Sequence, residues 1–393
     1  MLLQELRAKT KQIVDAVIRE DFKNKNGLLS GTSGTLFLLC YYNEYAKDQR
    51  CLEIVEKRIS DTMDAINDDP EFSDLSYSSG LTGFLWTLEN LNAHQYIELD
   101  LNEFKEAVHP ILNDYMMRQL EEGNIDFLHG ALGVANYFLD SGDTRSIEWL
   151  KAFNKQLLTK AILNDDDTIS FMTNIYRENK AVPVVNLGLS HGMASIIYYL
   201  QRCLKLEQLN SPELKRALQQ LLLFYKRNQN DITVHPSYFA SWVGPEKSSR
   251  LAWCYGDLGI GLTFLLAAET LNDQELKNYS IEILKHTCKR MNLSKEGIKD
   301  AGLCHGTTGL VKIYRNLYQK TTIPEFKTAG DFWLQKTIEI ATHESGHAGY
   351  KTFSIDHYEN DCGLLEGISG VGIVFLEELM RKPLSWEKSL MLA

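Results

Sequence analysis

Three residues of the sequence have side chains that could hold a metal ion together: Cys254, Cys304 and His305. Each cysteine stands two residues before a glycine, Gly256 or Gly306, in two similar segments, WCYGDLGI and LCHGTTGL. If the two segments fold alike, the thiols occupy the same position in neighbouring elements and lie close together. Two thiolates and an imidazole form a soft ligand set that suits zinc, and three protein ligands leave a fourth position open, as in catalytic zinc sites.

Both segments belong to a pattern that occurs seven times: a glycine, two further residues, a small residue and then an apolar run. Numbered as repeats one to seven, the leading glycines are Gly31, Gly80, Gly130, Gly192, Gly256, Gly306 and Gly367. Each interval has room for two helices, and strand-like alternation is sparse. The run after each glycine suits a helix buried on several sides, whereas the preceding segment is amphipathic. We therefore predict an all-α fold with an inner and an outer ring of helices.

Seven helical hairpins could stack as an open solenoid or close into a ring. A solenoid needs atypical capping repeats at its ends, yet the seventh repeat, LLEGISGVGIVFLEEL, is as complete as the others. The sequence therefore favours an α/α toroid of seven helical-hairpin repeats, forming one domain over residues 1–393. A short extended insertion is predicted around residues 164–187.

Charge and hydropathy exclude several classes of protein. The chain has 41 basic and 52 acidic residues, a net charge of −11, and no basic cluster of the kind that follows a nucleic-acid backbone. No uninterrupted apolar stretch is long enough to span a membrane, and the first residues mix charged and apolar side chains at helical spacing. We expect no nucleic-acid partner, no signal peptide, no transmembrane segment and a cytoplasmic location.

The seven cysteines are scattered through the chain, so a disulfide framework is not expected. Cys362 lies four residues before Glu366, out of register with Cys254 and Cys304, and is predicted not to be a ligand. The remaining cysteines are interpreted as small buried hydrophobic residues: Cys40, Cys51, Cys203 and Cys288.

Four segments resemble the signature blocks of the lanthipeptide cyclases, the lanthionine synthetase C-like family. They are WCYGDLGI around Cys254, LCHGTTGL around Cys304 and His305, LSHGMASI around His191, and the terminal LLEGISGVGI. The similarity covers nearly the whole chain in the right order. It implies an α/α toroid with one zinc, held by Cys254, Cys304 and His305, that cyclises a dehydrated precursor peptide. In that reaction a peptide thiol adds to the β-carbon of a dehydroalanine or dehydrobutyrine, forming a (methyl)lanthionine thioether.

The resemblance also implies catalytic residues. His191 matches the family's active-site histidine that is not a ligand, and would protonate the α-carbon after addition. Asp126 matches an acidic residue that pairs with it, although a helix N-cap or surface carboxylate is the alternative. Arg250 matches an arginine that could stabilise the enolate oxygen, and Tyr255 matches a family tyrosine; both could instead pack structurally. His129 stands where many family members have a small or acidic residue, and it could be a second acid or a structural imidazole.

The predicted function is a stand-alone cyclase that works with a separate dehydratase and with a transporter in a membrane-associated synthetase complex. Two alternatives stay open: a relative that adds glutathione to dehydroamino acids at the same zinc, and a non-enzymatic scaffold that binds glutathione or a partner protein. A zinc toroid that prenylates thiols would require an aspartate among the ligands, and these segments do not match it.

Overall fold

The computed structural model describes residues 2–23, 25–68, 74–177 and 180–393. Helices account for most of the described chain. In chain order they are α1 (Leu2–Arg19), α2 (Thr32–Ala46), α3 (Gln49–Asp68), α4 (Leu81–Ala93), α5 (Asn102–Glu121), α6 (Ala131–Asp140), α7 (Thr144–Thr159), α8 (Met193–Cys203), α9 (Pro212–Arg227), α10 (Asp257–Leu271), α11 (Gln274–Thr287), α12 (Leu293–Glu296), α13 (Thr307–Thr321), α14 (Pro324–Glu339) and α15 (Ile368–Met380), followed by a 3-10 helix at Ser385–Leu390.

Two kinds of helix alternate along the chain, as the sequence predicts. Seven helices begin directly after the leading glycines and are buried nearly all round: α2, α4, α6, α8, α10, α13 and α15. The long helices between them bury one face, because their apolar residues recur at the helical period. The hairpin packing is seen directly in α2 against α3, α6 against α7, α8 against α9, α10 against α11 and α13 against α14.

The turn that enters each buried helix explains why glycine leads every repeat. The N–H of Met193, the first residue of α8, donates to the carbonyl of Asn186, which lies six residues before Gly192, at 2.8 Å. A Cβ atom on Gly192 would stand 2.5 Å from that carbonyl oxygen, so no larger residue fits. The same bond recurs in the turns before α2, α4, α6, α13 and α15.

The described residues form two compact units: unit 1 contains Met1–Asn102 and Met291–Ala393, and unit 2 contains Glu103–Arg290. Unit 1 thus holds repeats six, seven, one and two, and unit 2 holds repeats three to five. The single domain over residues 1–393 stays a prediction.

Main-chain hydrogen bonds join successive turns within unit 1. The N–H groups of Leu303 and Cys304 donate to the carbonyl of Leu365, at 2.8 and 3.1 Å. Leu365 donates to Leu29, and Leu29 donates to Ser78, both at 2.9 Å. Helix α15 also packs against α1 and α2. Repeat seven is therefore bonded to repeat one, which a closed arrangement of repeats requires and an open solenoid does not.

Short strands interrupt the helices at two places. They are β1 (Ile162–Leu163), β2 (Ile169–Ser170), β3 (Thr173–Arg177), β4 (Lys180–Val184), β5 (Thr352–Ser354) and β6 (His357–Glu359), paired antiparallel in sequence order. Strands β2, β3 and β4 lie within residues 164–187, the range of the predicted extended insertion, and β1 directly precedes it. Residues 178–179 of that range fall outside the described residues. In the part of the chain that the structure describes, no helix is both long enough and apolar enough to cross a bilayer.

Candidate active site

The turn before α8 presents His191 to a carboxylate from the preceding repeat. Nδ1 of His191 lies 2.6 Å from Oδ2 of Asp126. The other carboxylate oxygen of Asp126 accepts the backbone N–H groups of Leu128 and His129, both at 2.8 Å. Asp126 is therefore fixed by its own turn and in turn fixes the imidazole. Its side chain is 16% exposed, whereas that of His191 is 36% exposed.

The electrostatics of this pair favour a charged imidazole. Burial disfavours the carboxylate of Asp126, but the hydrogen bond and the charge of His191 outweigh burial and lower the pKa of Asp126. Burial likewise disfavours the imidazolium, but the hydrogen bond to Asp126, its charge and the nearby Cys254 raise the pKa of His191. Because an ionised carboxylate can only accept, Nδ1 carries the shared proton, and Nε2 is the nitrogen left for chemistry.

Three further residues of unit 2 surround His191. The ring centroid of Tyr255 lies 6.3 Å from that of His191, and the ring of His129 stacks on His191 with a centroid distance of 6.4 Å. Cys254 precedes Tyr255 and is buried, with 5% of its surface exposed. Its carbonyl accepts the N–H groups of Leu189 and Ser190, at 2.8 and 3.2 Å. Unit 2 therefore brings Asp126, His191 and Tyr255 together beside the turn of Cys254.

The turn of Cys254 differs from the other six in its glycine. Gly256 has φ of +89°, a conformation that residues with a side chain rarely adopt, whereas the other leading glycines are extended. A Cβ atom on Gly256 would also stand 2.3 Å from the carbonyl oxygen of Arg250. The geometry that presents Cys254 is thus specific to repeat five.

The other two predicted ligands lie in unit 1. Cys304 is buried, with 8% of its surface exposed, and its backbone is bonded to Leu365. The next residue, His305, is 22% exposed, and its Nδ1 lies 3.9 Å from a carboxylate oxygen of Glu366. Glu366 precedes the glycine of repeat seven, the position that His305 holds in repeat six. Glu366 was not among the predicted site residues, although an acidic residue at that position was a usable signal.

Arg250 departs from a regularity of the other repeats that was not predicted. Six residues before the leading glycine, five repeats have Asp or Asn: Asp74, Asn124, Asn186, Asp300 and Asp361. Their side chains accept backbone N–H groups of their own turns, as Asn186 does from Gly188 at 2.9 Å. Arg250 replaces this residue in repeat five. Its side chain is exposed and makes no hydrogen bond or ion pair with any described residue.

A buried ion pair supports the segment before Cys254. Asp257 is fully buried and accepts the backbone N–H groups of Tyr238 and Phe239, both at 2.9 Å. Arg290 lies 3.8 Å from the Asp257 carboxylate and donates to the carbonyl of Ser249 at 2.7 Å. Asp257 follows Gly256 in the motif, so its position was visible in the sequence. Arg290 is distant along the chain and gave no signal.

The fold has a counterpart among solved structures. The structure of nisin cyclase superposes with a TM-score of 0.77 over 98% of this chain and 97% of that chain, at 18% sequence identity. At this identity the likeness shows the fold. The predicted class, an all-α α/α toroid built from helical hairpins, is confirmed.

The sequence places the chain in a family. A family model described as lanthionine synthetase C-like protein matches residues 22–391, and the chain belongs to this family. Nisin biosynthesis protein NisC of Lactococcus lactis subsp. lactis is 24% identical over 307 residues. That alignment covers 73% of this chain and 66% of NisC, just under two thirds of the relative's length.

Proposed function

We propose that the chain is a zinc-dependent lanthipeptide cyclase, which joins cysteine thiols of a dehydrated precursor peptide to its dehydroalanine or dehydrobutyrine residues. The observation that carries the proposal is the Asp126–His191 pair, one repeat before Cys254 and in the same unit. Membership of the lanthionine synthetase C-like family over residues 22–391 supports it, as does the likeness to nisin cyclase.

The proposed zinc ligands are Cys254, Cys304 and His305. The two cysteines hold the same position in their turns, both are buried, and with the imidazole they form the soft donor set that zinc prefers. The carboxylate of Glu366 beside His305 is the kind of partner that orients a ligating histidine. Bound zinc supplies a Lewis acid that holds a substrate cysteine as thiolate, the nucleophilic form of the thiol.

His191 is proposed as the acid that completes the addition. The substrate thiol loses its proton to solvent, a bond forms between sulfur and the β-carbon, and the alkene electron pair moves onto the carbonyl as an enolate. The α-carbon must then receive a proton. Nε2 of His191 supplies it, while Asp126 holds Nδ1 and stabilises the imidazolium that donates.

Arg250 and Tyr255 are proposed to act on the substrate side of the site. Arg250 is exposed on the segment that leads to Cys254, and it has no partner among the described side chains that would hold it elsewhere. A guanidinium there can pair with the enolate oxygen. The ring of Tyr255 packs beside His191 and limits the space in which the imidazole can turn.

The partners and location follow from this function. The substrate is a dehydrated precursor peptide, so a separate dehydratase must act first on its serine and threonine residues. We propose a cytoplasmic enzyme that a membrane-associated synthetase complex with a transporter can recruit.

The test compares Cys304→Ala with Cys288→Ala. Both cysteines have 8% of their surface exposed, so the two variants remove equally buried thiols. Cys304→Ala should lose one zinc per chain by elemental mass spectrometry and at least a hundredfold of its rate of thioether formation on a dehydrated peptide, while Cys288→Ala keeps both. A Cys304→Ala variant that retains its zinc and its rate would overturn the proposal. A glutathione-dependent loss of dehydroamino acids would instead favour glutathione addition.

A further inference from the structure

A second cluster of metal-binding side chains lies in unit 1, built from Glu20, His347 and Cys362. One donor atom from each lies within 4.8 Å of the others, and Sγ of Cys362 is 3.7 Å from a carboxylate oxygen of Glu20. Zinc binds sulfur at about 2.3 Å and oxygen at about 2.0–2.2 Å, so the edge between two such ligands of a tetrahedron is about 3.5 Å. The sulfur and oxygen already stand at that spacing.

The backbone that carries Glu20 is held from α3. Arg58, which is buried, donates from Nη2 to the carbonyls of Val17 and Glu20, at 2.6 and 3.2 Å. The N–H of Glu20 in turn donates to Val17 at 3.3 Å. The backbone of Glu20 is therefore held in place at the end of α1, although the Glu20 side chain is exposed.

A tight loop between α14 and β5 presents His347. The carbonyl of His347 accepts the N–H of Tyr350 at 2.9 Å. The N–H of His343 closes the loop by donating to the carbonyl of Gly349 at 2.9 Å. Lys9 of α1 donates to the carbonyl of Ala348 at 3.2 Å, which fastens the loop to α1. The His347 side chain itself makes no hydrogen bond to any residue that the structure describes.

The turn before α15 presents Cys362. The carbonyl of Cys362 accepts the hydroxyl of Ser369 at 2.6 Å, and the neighbouring Asp361 accepts the N–H groups of Gly363 and, through its carbonyl, Ile368. Cys362 is buried, with 3% of its surface exposed, while Glu20 and His347 open toward solvent. An ion could therefore enter from the side of Glu20 and reach the sulfur last.

We propose that Glu20, His347 and Cys362 bind a zinc ion at a second site, separate from the proposed catalytic ligands, with water as the fourth ligand. A thiolate, an imidazole and one carboxylate match zinc and exclude magnesium and calcium, which take oxygen ligands. The prediction that Cys362 is not a ligand of the catalytic zinc is unaffected, since the second site uses none of those ligands.

The role that fits this site is a fastening between distant parts of the chain. Glu20 and Cys362 are 342 residues apart in sequence, and the ion would join the end of α1, the 343–350 loop and the turn before α15. These segments belong to the first and last repeats, which the main-chain bond from Leu365 to Leu29 already connects. Because the unfolded chain does not bring the three donors together, zinc binding there stabilises the folded state.

The experiment measures zinc stoichiometry and affinity of the full-length chain by dialysis against a zinc chelator of known affinity. Wild type should hold two zinc ions per chain and Cys362→Ala one. His347→Ala and Glu20→Gln should bind the second ion at least tenfold more weakly. His357→Ala is the matched control, because His357 also has carboxylates nearby, Asp356 at 3.1 Å and Glu359 at 3.9 Å, and should change nothing.

Activity separates this site from the proposed catalytic zinc. Cys362→Ala should keep its rate of thioether formation and lose the increase in melting temperature that added zinc gives wild type, whereas Cys304→Ala should lose the rate and keep that increase. The second site is refuted if wild type holds a single zinc that Cys304→Ala alone removes, or if Cys362→Ala leaves stoichiometry unchanged. If Cys362→Ala fails to fold, Glu20→Gln becomes the test, because the Glu20 side chain is exposed and its replacement should not prevent folding. A Glu20→Gln variant that binds the second zinc as tightly as wild type refutes the site.

Discussion

Unit 2 contains two histidine–aspartate pairs of nearly identical local geometry and opposite exposure. His109 of α5 contacts Asp143 through Nδ1 at 2.8 Å and the hydroxyl of Tyr137 through Nε2 at 2.7 Å, and is fully buried. His191 contacts Asp126 through Nδ1 at 2.6 Å, but its Nε2 has no hydrogen-bond partner among the described residues. The first imidazole has both nitrogens occupied inside the protein, whereas the second keeps one nitrogen for a substrate.

The difference shows that a histidine beside a carboxylate does not by itself define a catalytic pair. Asp143 is the N-cap of α7 and also binds Arg145, so the His109 pair ties α5 to the start of α7. Asp126 instead anchors a turn, and its histidine is partly exposed. Whether Nε2 of the histidine is bonded to a protein group or left for a substrate distinguishes the structural pair from the chemical one.

Replacing His191 should have the largest effect on the reaction. His191→Ala removes the proposed proton donor and should slow thioether formation by about 10²- to 10⁴-fold. Because the Asp126 carboxylate loses its hydrogen-bond partner, the free energy of unfolding should fall by about 1 kcal/mol. The rate is measured as loss of free thiol on a dehydrated peptide, and stability by urea unfolding. His129→Ala is the control. If it costs as much as His191→Ala, then His129 is the acid.

Replacing His109 should give the opposite result. His109→Ala leaves a cavity and deprives the buried hydroxyl of Tyr137 of its partner, so the free energy of unfolding should fall by about 2–4 kcal/mol. The rate per folded molecule should not change. Urea unfolding and an assay well below the transition check this. If His109→Ala instead lost much of the rate and kept normal stability, the His109–Asp143 pair would have a chemical role and not the structural one assigned to it.

Asp126→Asn should have the smallest effect and should sharpen the comparison through pH. Asp126 raises the pKa of His191, so the protonated acid persists to higher pH than in an isolated histidine. Activity should fall as the pH rises through that pKa. Without the carboxylate charge this fall should move to lower pH, with a loss of about tenfold in slightly alkaline buffer. Asp143→Asn, measured in parallel, should leave the pH profile in place.

Much of the fold could be predicted because the signal is repeated. Seven glycines in one context, each followed by an apolar run, determine where the buried helices begin, and every one of those helices begins there. The sequence could not show that Gly256 is the one leading glycine with a positive φ, because a glycine residue can adopt either conformation. The strands β1–β4 were foreseen only as an extended insertion around residues 164–187.

The candidate site was predictable in its residue types and less so in its contacts. The pairing of His191 with Asp126, which the family resemblance implies, is seen in the structure. Arg250, which the resemblance also implies, is exposed and has no hydrogen bond to either of them. His109 was not singled out, since one histidine in an amphipathic helix carries no signal until the fold places Asp143 and Tyr137 on either side of it. Arg290 was missed for the same reason.

The bond from Leu365 to Leu29 has a consequence for synthesis on the ribosome. Unit 2 is one continuous stretch of chain, so its hairpins can pack as soon as residue 290 has emerged. Unit 1 needs both Met1–Asn102 and Met291–Ala393, so its early helices must wait for the late ones, and long-range contacts of this kind form slowly. Repeat one is thus translated before repeats six and seven but completed only with them, and until then its apolar surface stays exposed to aggregation.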